Sequence, residues 1–197
     1  MTRVPTDALD HDHNPEAVLV PVGILLPKHQ ECWIYMVESK VTADCLVDVT
    51  RMFWQENRSR FPKVRRLVLD QDNGPENNSH RTQYIQRIVD FADEAKVDIS
   101  LAYYPPYHSK YNPIERCFGA LEQYWNGSLL PTVEAALGFA SNMTWCGQHP
   151  TVRLITTIYE TGQKISSRAM QVLERTRLHR DDQLGRWFVE IAHQSTG

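Results

Sequence analysis

The chain has 197 residues, of which 42% are apolar and 23% are charged, a balance typical of a folded globular protein and not of a disordered one. Its net charge is −3, so the chain lacks the excess of basic residues that is typical of a protein that coats nucleic acid. A local basic cluster could still bind nucleic acid. No apolar run approaches the roughly 20 residues of a membrane helix, and the first residues lack a secretory signal pattern. We therefore expect no membrane partner.

The four cysteines, Cys32, Cys45, Cys117 and Cys146, are scattered and form no CxxC pair. This spacing argues against a zinc knuckle and against a disulfide framework. We expect reduced thiols and a cytoplasmic protein.

The first elements are two strands and a helix. Residues 18–26 and 32–37 are rich in β-branched and aromatic residues, and the short polar connection between them predicts an antiparallel hairpin. Pro21 cannot donate to a ladder, so we expect it at an edge or a bulge. Thr42 has the character of an N-cap, and apolar residues at helical spacing follow it to about Gln55.

Strands and helices then alternate. The remaining predicted elements are a strand at 65–70, a helix at 79–96, a strand at 97–103, a helix from Asn112, a helix at 133–143, a strand at 151–159 and a helix from Ser166. The order β, β, α, β, α, β, α predicts an α/β layer fold, with a mixed sheet covered by helices.

Asp72 is the first candidate site residue, because it follows a predicted strand. Active sites of open α/β sheets collect at the carboxyl ends of strands. Asp-Asn-Gly-Pro at 72–75 is also ordinary turn chemistry, which would need no function. Asp70 lies two positions earlier and stays a rival, since both side chains would share a direction if the strand continued.

Glu115 is the second candidate, at the start of a predicted helix. Asn112 as N-cap, Pro113 at the first helical position and Glu115 two positions later form a capping-box pattern, so a purely structural role is open. The apolar stripe of this helix leaves Glu115, Gly119 and Glu122 together on another face. A carboxylate beside a bare glycine leaves space for a metal ion and a phosphodiester.

The two carboxylates are more informative together. One helix and one strand separate Asp72 from Glu115, a path that can return the second residue to the first. Clustered carboxylates bind paired Mg²⁺ or Mn²⁺ ions, which activate water or a 3′-hydroxyl and stabilise the leaving oxygen. The absence of Cys/His ligand spacing fits this choice of hard ions.

Two segments carry a resemblance to a known family: 72–77 (DNGPEN) and 103–115 (YYPPYHSKYNPIE). They resemble bacterial insertion-sequence DDE transposases, relatives of mariner-type transposases and retroviral integrases with a ribonuclease H-like core. The resemblance extends from about Asp10 through most of the chain. It implies that Asp72 and Glu115 are the second and third acidic residues of a metal-binding triad, and that the chain acts on DNA near the bacterial nucleoid.

The sequence departs from that family at its beginning. A ribonuclease H-like core opens with three strands, the first of which bears an acidic residue, but only two strands precede the Thr42 helix. Asp10 and Asp12 are weak candidates, in a polar stretch that lacks the apolar residues of a central strand. We therefore predict a ribonuclease H-like fold without its first strand and an incomplete two-metal site. The predicted division is 1–17 as a polar segment, 18–145 as the partial core and 146–197 as a C-terminal α/β extension.

The loop that leads into the Asn112 helix, together with the start of that helix, is the predicted DNA-binding surface. Aromatic and basic side chains interleave there, suited to stacking on bases and to phosphate contact. The residues assigned to DNA are Tyr107, His108, Lys110, Asn112 and Arg116. The alternative is that the tyrosines pack the loop against the protein. The implied partners are transposon ends, target DNA and further copies of the chain, with no small-molecule substrate.

Three functions stay open at this point. The leading one is a transposase core with little or no strand transfer, since two carboxylates without the third bind metal poorly. A ribonuclease H-like nuclease such as a junction resolvase would need all its acidic ligands within the chain. A remnant that binds DNA or pairs with an intact transposase would need none.

Overall fold

The computed structural model describes residues 18–105, 112–126, 130 and 132–194. It is a mixed α/β structure, as predicted. The elements are β1 (Val20–Leu26), β2 (Glu31–Val37), α1 (Ala43–Asn57), β3 (Arg66–Gln71), α2 (Thr82–Ala95), β4 (Asp98–Tyr103), α3 (Pro113–Trp125), α4 (Val133–Asn142), β5 (Thr151–Ile155), α5 (Ser167–Thr176), β6 (Leu178–Arg180) and β7 (Phe188–Ile191). The predicted order of the first seven elements is confirmed.

The first sheet has the order β1-β2-β5. β1 and β2 form the predicted antiparallel hairpin, in a register that pairs Val20 with Val37 and Leu26 with Glu31. β5 adds parallel to β2 on its other side. Within the described residues β1 is thus an edge strand, which confirms the position expected for Pro21.

The second sheet has the order β3-β4-β7-β6. β3 and β4 are parallel, whereas β7 is antiparallel to both β4 and β6. The predicted mixed α/β fold flanked by helices is confirmed, and its strands form two mixed sheets among the described residues. The two sheets are separate because no ladder joins β1 to β3, so each of these strands has one hydrogen-bonded neighbour in the described part of the chain.

Helix α1 connects the two sheets. Its residues Ala43, Val47 and Trp54 belong to the apolar core that packs on the second sheet. Cys45, Val49 and Phe53 belong to the core that packs on β1 and β2. α1 therefore covers one face of each sheet, and these two faces lie on the same side of the molecule.

Helices α3 and α4 cover the opposite face of the first sheet. Three β2 side chains, Cys32, Ile34 and Met36, pack there against α3 residues Cys117 and Leu121 and against α4. Both faces of this sheet are thus helix-covered, which explains why β2 is buried almost throughout. No helix in the described ranges is long and apolar enough to cross a membrane.

Some boundaries differ from the sequence prediction. Helix α2 begins at Thr82 and not at 79, because the preceding loop bonds to itself, with Asn78 N–H donating to the Gly74 carbonyl and Arg81 N–H to the Asn78 carbonyl. β5 ends at Ile155, short of the predicted 159. β6 and β7 were not predicted, since strands of three and four residues carry too little periodicity to be recognised.

Gly23 of β1 allows α3 to approach closely. A Cβ there would lie 2.7 Å from Ile114 Cδ1 and 2.8 Å from Phe118 Cζ. We expect Gly23→Val to lower the free energy of unfolding by about 1–3 kcal/mol through overpacking, measured by urea denaturation. The control is Gly138→Ala in α4, where a Cβ meets nothing within 4 Å and stability should rise by about 0.5–1 kcal/mol. Equal losses from both substitutions would contradict the close packing.

Asp98 at the start of β4 binds the segment after β7. It accepts hydrogen bonds from His193 Nδ1 at 2.9 Å and His193 N–H at 3.2 Å, and Arg66 is nearby. The hydrogen bond from the His193 side chain, with a further contribution from Arg66, holds the pKa of Asp98 below its usual value.

A carboxyl pKa lowered by folding stabilises the protein above the unfolded-state pKa, and this contribution is lost as pH falls through the folded-state pKa. Asp98→Asn should therefore flatten the fall in unfolding free energy below about pH 4, measured by urea denaturation across pH. Asp182→Asn, at an exposed carboxyl, serves as control. An unchanged pH profile in Asp98→Asn would refute this role.

Candidate active site

Asp72 is the first residue after β3, at the carboxyl end of a strand in the second sheet. The strand alternates regularly, with Leu67 and Leu69 packed into the core and Arg66, Val68 and Asp70 exposed. Asp72 follows at the point where the ladder to β4 ends. Its side chain is exposed, as a metal or substrate ligand requires.

Asn77 fixes the position of Asp72. The Asn77 side-chain amide donates to Asp72 Oδ1 at 3.0 Å and to the Asp72 carbonyl at 3.1 Å, and Asn77 itself is only 8% exposed. Gly74 lies across the loop, where a Cβ would be 3.0 Å from Asn77 Oδ1. The turn 72–77 therefore also fixes the position of the Asp72 carboxylate. The ordinary turn interpretation and the functional one are compatible.

A polar layer lies behind this loop. The buried Tyr84 hydroxyl of α2 donates to Gln71 Oε1 at 2.7 Å, and Asn77 approaches the same oxygen at 3.5 Å. Burial raises the pKa of Tyr84 and of Tyr103 well above the ordinary tyrosine value, so both hydroxyls stay protonated. The start of the loop that carries Asp72 is thus anchored to α2 by hydrogen bonds between neutral side chains.

Asp70 occupies the other face of β3. The alternation of the strand turns it away from Gln71 and the α2 core, towards the side of the molecule on which α3 covers the first sheet. The Asp70 charge acts on Tyr104. Burial of Tyr104 raises the pKa of its hydroxyl most, and the nearby Asp70 carboxylate raises it further. Asp70 is exposed and remains a rival to Asp72.

Glu115 lies in the first turn of α3. The predicted cap is confirmed: Asn112 is the N-cap, its side-chain oxygen accepts from Ile114 N–H at 3.4 Å, and Pro113 opens the helix. The Glu115 side chain is exposed, and within the described residues no hydrogen bond or ion pair engages its carboxylate. The second hydrogen bond of a capping box, from the Asn112 N–H to the Glu115 carboxylate, is therefore not formed among the described residues. The Glu115 carboxylate remains available to bind a ligand.

The buried side of α3 determines where Glu115 is placed. Ile114 and Phe118 pack on Gly23, and Cys117 and Leu121 are buried against β2. The helix therefore starts over edge strand β1, whereas Asp72 follows edge strand β3. Among the described residues, no group of three or more His, Cys, Asp or Glu side chains is arranged to hold a metal ion. That Asp72 and Glu115 share an ion stays a prediction.

The other predicted site residues divide into two groups. Arg116 is exposed beside Glu115, in a position open to phosphate, and Asn112 uses its side-chain oxygen as the cap. The remaining candidates lie outside the described residues: Asp10, Asp12, Tyr107, His108 and Lys110. Asn77 was not singled out from sequence, although a run of Asn after Asp-Asn-Gly-Pro is a signal for side-chain to backbone bonding.

Comparison with known proteins assigns the chain to a class. Residues 1–193 match a family model of a transposase DDE domain, so the protein is a transposase by family. The chain belongs to the family described as the Rhodopirellula transposase DDE domain. No curated protein and no solved structure matches it. The family in general implies DNA binding and the use of divalent metal ions.

Proposed function

We propose that this chain is the core of an insertion-sequence transposase in which Asp72 and Glu115 are two of the three metal-binding carboxylates for DNA cleavage and strand transfer. The observation that carries the proposal is the clamped yet exposed carboxylate of Asp72. A ligand held in place by Asn77 loses little conformational freedom when it binds an ion, and its second oxygen remains available.

The donor set fits Mg²⁺ or Mn²⁺. Both proposed ligands offer carboxylate oxygens, and neither is engaged by a cation among the described side chains. The ions, when bound, supply Lewis acidity at the attacking and leaving oxygens of the phosphodiester. Asp72 and Glu115 hold negative charge at the site, and Arg116 is placed to contact a DNA phosphate.

The surface around these carboxylates is open on one side. Val68, which shares the outer face of β3 with Asp70, is 59% exposed, so no described element covers this face. A DNA backbone needs such access. We assign phosphate and base contacts to Arg116 and to Tyr107, His108 and Lys110. Since the two transposon ends have to meet, we expect the working form to be a homo-oligomer.

We infer that the third carboxylate is carried by a strand from outside the described residues. Within them, β1 bonds only to β2 and β3 only to β4, while α1 packs against both sheets across this break. Unpaired edges of this kind accept a further strand. A strand between β1 and β3 would bring an acidic side chain beside Asp72. Pro21 withholds one donor, so pairing is expected along residues 22–26 of β1.

The test is a cleavage and strand-joining assay with Mg²⁺ or Mn²⁺, on DNA that carries the terminal inverted repeats of the insertion sequence. We expect the 197-residue chain to bind these ends and to bind Mn²⁺ through Asp72, with little or no joining. Circular dichroism establishes that each variant is folded.

Three results would overturn parts of the proposal. Robust joining that Asp72→Ala abolishes would refute an incomplete site. Cleavage without joining, lost in Asp10→Ala or Asp12→Ala, would identify a nuclease such as a resolvase with all its ligands inside the chain. If the folded chain binds neither DNA ends nor Mn²⁺, it is a transposase remnant that lacks the proposed chemistry.

A further inference from the structure

Two cysteines that are 85 positions apart in sequence meet between β2 and α3. Cys32 is the second residue of β2, and Cys117 is on the buried face of α3. Their Sγ atoms lie 2.8 Å apart, and the residues are 4% and 0% exposed. Ile34, Met36 and Leu121 belong to the same apolar cluster.

The geometry is close to that of a covalent bond. A disulfide bond is about 2.05 Å long, so the two sulfurs need to approach by roughly 0.8 Å. The two thiols hydrogen-bond to each other, and either sulfur can be the donor. They are therefore close enough for one sulfur to attack the other once either is oxidised.

The other two cysteines have no comparable partner among the described residues. Cys45 is buried in α1, on the opposite face of the first sheet, and Cys146 is exposed. The proximity of Cys32 and Cys117 is thus specific to one pair. Cys32 also helps to line a surface cavity of about 560 Å³, which gives a small oxidant such as hydrogen peroxide a route to the pair.

We propose that Cys32 and Cys117 form a redox modification site that closes to an intramolecular disulfide with hydrogen peroxide. The thiolate of one cysteine attacks one peroxide oxygen, the O–O bond breaks, and hydroxide leaves and takes up the thiol proton as water. The sulfur of the other cysteine then attacks this sulfenic acid. The S–S bond forms, the S–O bond breaks, and the oxygen leaves as a second water with the remaining thiol proton.

The disulfide would attach α3 covalently to the central strand of the first sheet. Because Cys117 follows Glu115 by two residues, oxidation would fix the helix turn that carries this carboxylate. The site itself does not depend on the proposed function, since it requires only the packing of α3 on β2.

The experiment uses the full chain, reduced and then treated with excess hydrogen peroxide. We expect the intact mass to fall by two hydrogen atoms, a non-reducing peptide map to link Cys32 with Cys117, and dithiothreitol to reverse both changes. Closing so long a loop should raise Tm by roughly 5–10 °C in the oxidised form.

Cys45→Ala is the matched buried control, and Cys146→Ser removes disulfides between molecules; both variants should keep the mass loss. Cys32→Ala and Cys117→Ala should lose it. If either of these fails to fold, the peptide map of the unsubstituted chain decides. Sulfinic or sulfonic acid at Cys32 or Cys117 without a link, or two thiols that still alkylate after denaturation, would overturn the proposal.

Discussion

Asp72→Asn is expected to weaken Mn²⁺ binding by about tenfold or more, and Glu115→Gln by a similar factor. Each substitution removes the charge of a hard oxygen ligand but keeps the shape of the side chain. In Asp72→Asn an amide oxygen can still accept the hydrogen bond from Asn77, so the loss reports charge and not collapse of the loop. Titration of the chain with Mn²⁺, followed by the EPR signal of the free ion, measures the dissociation constant.

The rival carboxylate supplies the control. Asp70→Asn changes an exposed acid within β3, two residues before Asp72, and should leave Mn²⁺ affinity unchanged. Loss of binding in Asp70→Asn with normal binding in Asp72→Asn would move the metal site to the outer face of β3. Asp182→Asn, far along the chain at an exposed position, corrects for the general effect of one charge.

The shared ion can be tested separately from affinity. Fe²⁺ in place of Mn²⁺, with ascorbate and peroxide, generates radicals that cut the backbone near the bound ion. We expect cuts close to both residue 72 and residue 115. Cuts near only one of them would contradict a common site even if both substitutions weakened binding.

Local chemistry made much of the fold predictable. The β1–β2 hairpin, the Thr42 and Asn112 caps and the start of α5 after Ser166 each depend on residues within a few positions of one another. The two-sheet arrangement was not predictable, because it depends on which strand edges pair across the molecule. The C-terminal strands β6 and β7 were not predictable for the same reason, because β7 is defined by its pairing with β4 more than by its own residue pattern.

The candidate site also has a part that the sequence predicts and a part that only the folded chain shows. Asp72 and Glu115 stand at a strand end and a helix start, positions that the sequence marks by Gly, Pro and Asn. The clamp by Asn77 needs the folded loop, although the residue is only five positions from Asp72. The pair Cys32 and Cys117 has no sequence signal, because β2 and α3 meet only through the packing of the first sheet.

Asp93→Ala is expected to be the more damaging half of the ion pair between Asp93 of α2 and Arg177 before β6. Two bonds join the side chains, Nη1 to Oδ2 at 3.0 Å and Nη2 to Oδ1 at 2.5 Å. The Arg177 side chain is 10% exposed and that of Asp93 is 30% exposed. Without Asp93, the Ala192 carbonyl, at 3.1 Å, is the one hydrogen-bond acceptor that the described residues still offer to this nearly buried guanidinium.

We therefore expect Asp93→Ala to lower the free energy of unfolding by about 3 kcal/mol and Arg177→Met by about 1–2 kcal/mol, measured by urea denaturation. The difference follows from which charge is left unpaired. In Arg177→Met, water and the Gln194 N–H, which donates to Asp93 Oδ1 at 2.6 Å, still reach the carboxylate, whereas in Asp93→Ala water hardly reaches the guanidinium and the Gln194 bond is lost as well. Glu56→Ala is the control, because its pair with Arg153 is exposed on both sides and should contribute under about 1 kcal/mol. Equal losses from Asp93→Ala and Arg177→Met would mean that burial of Arg177 is not what makes the pair costly to break.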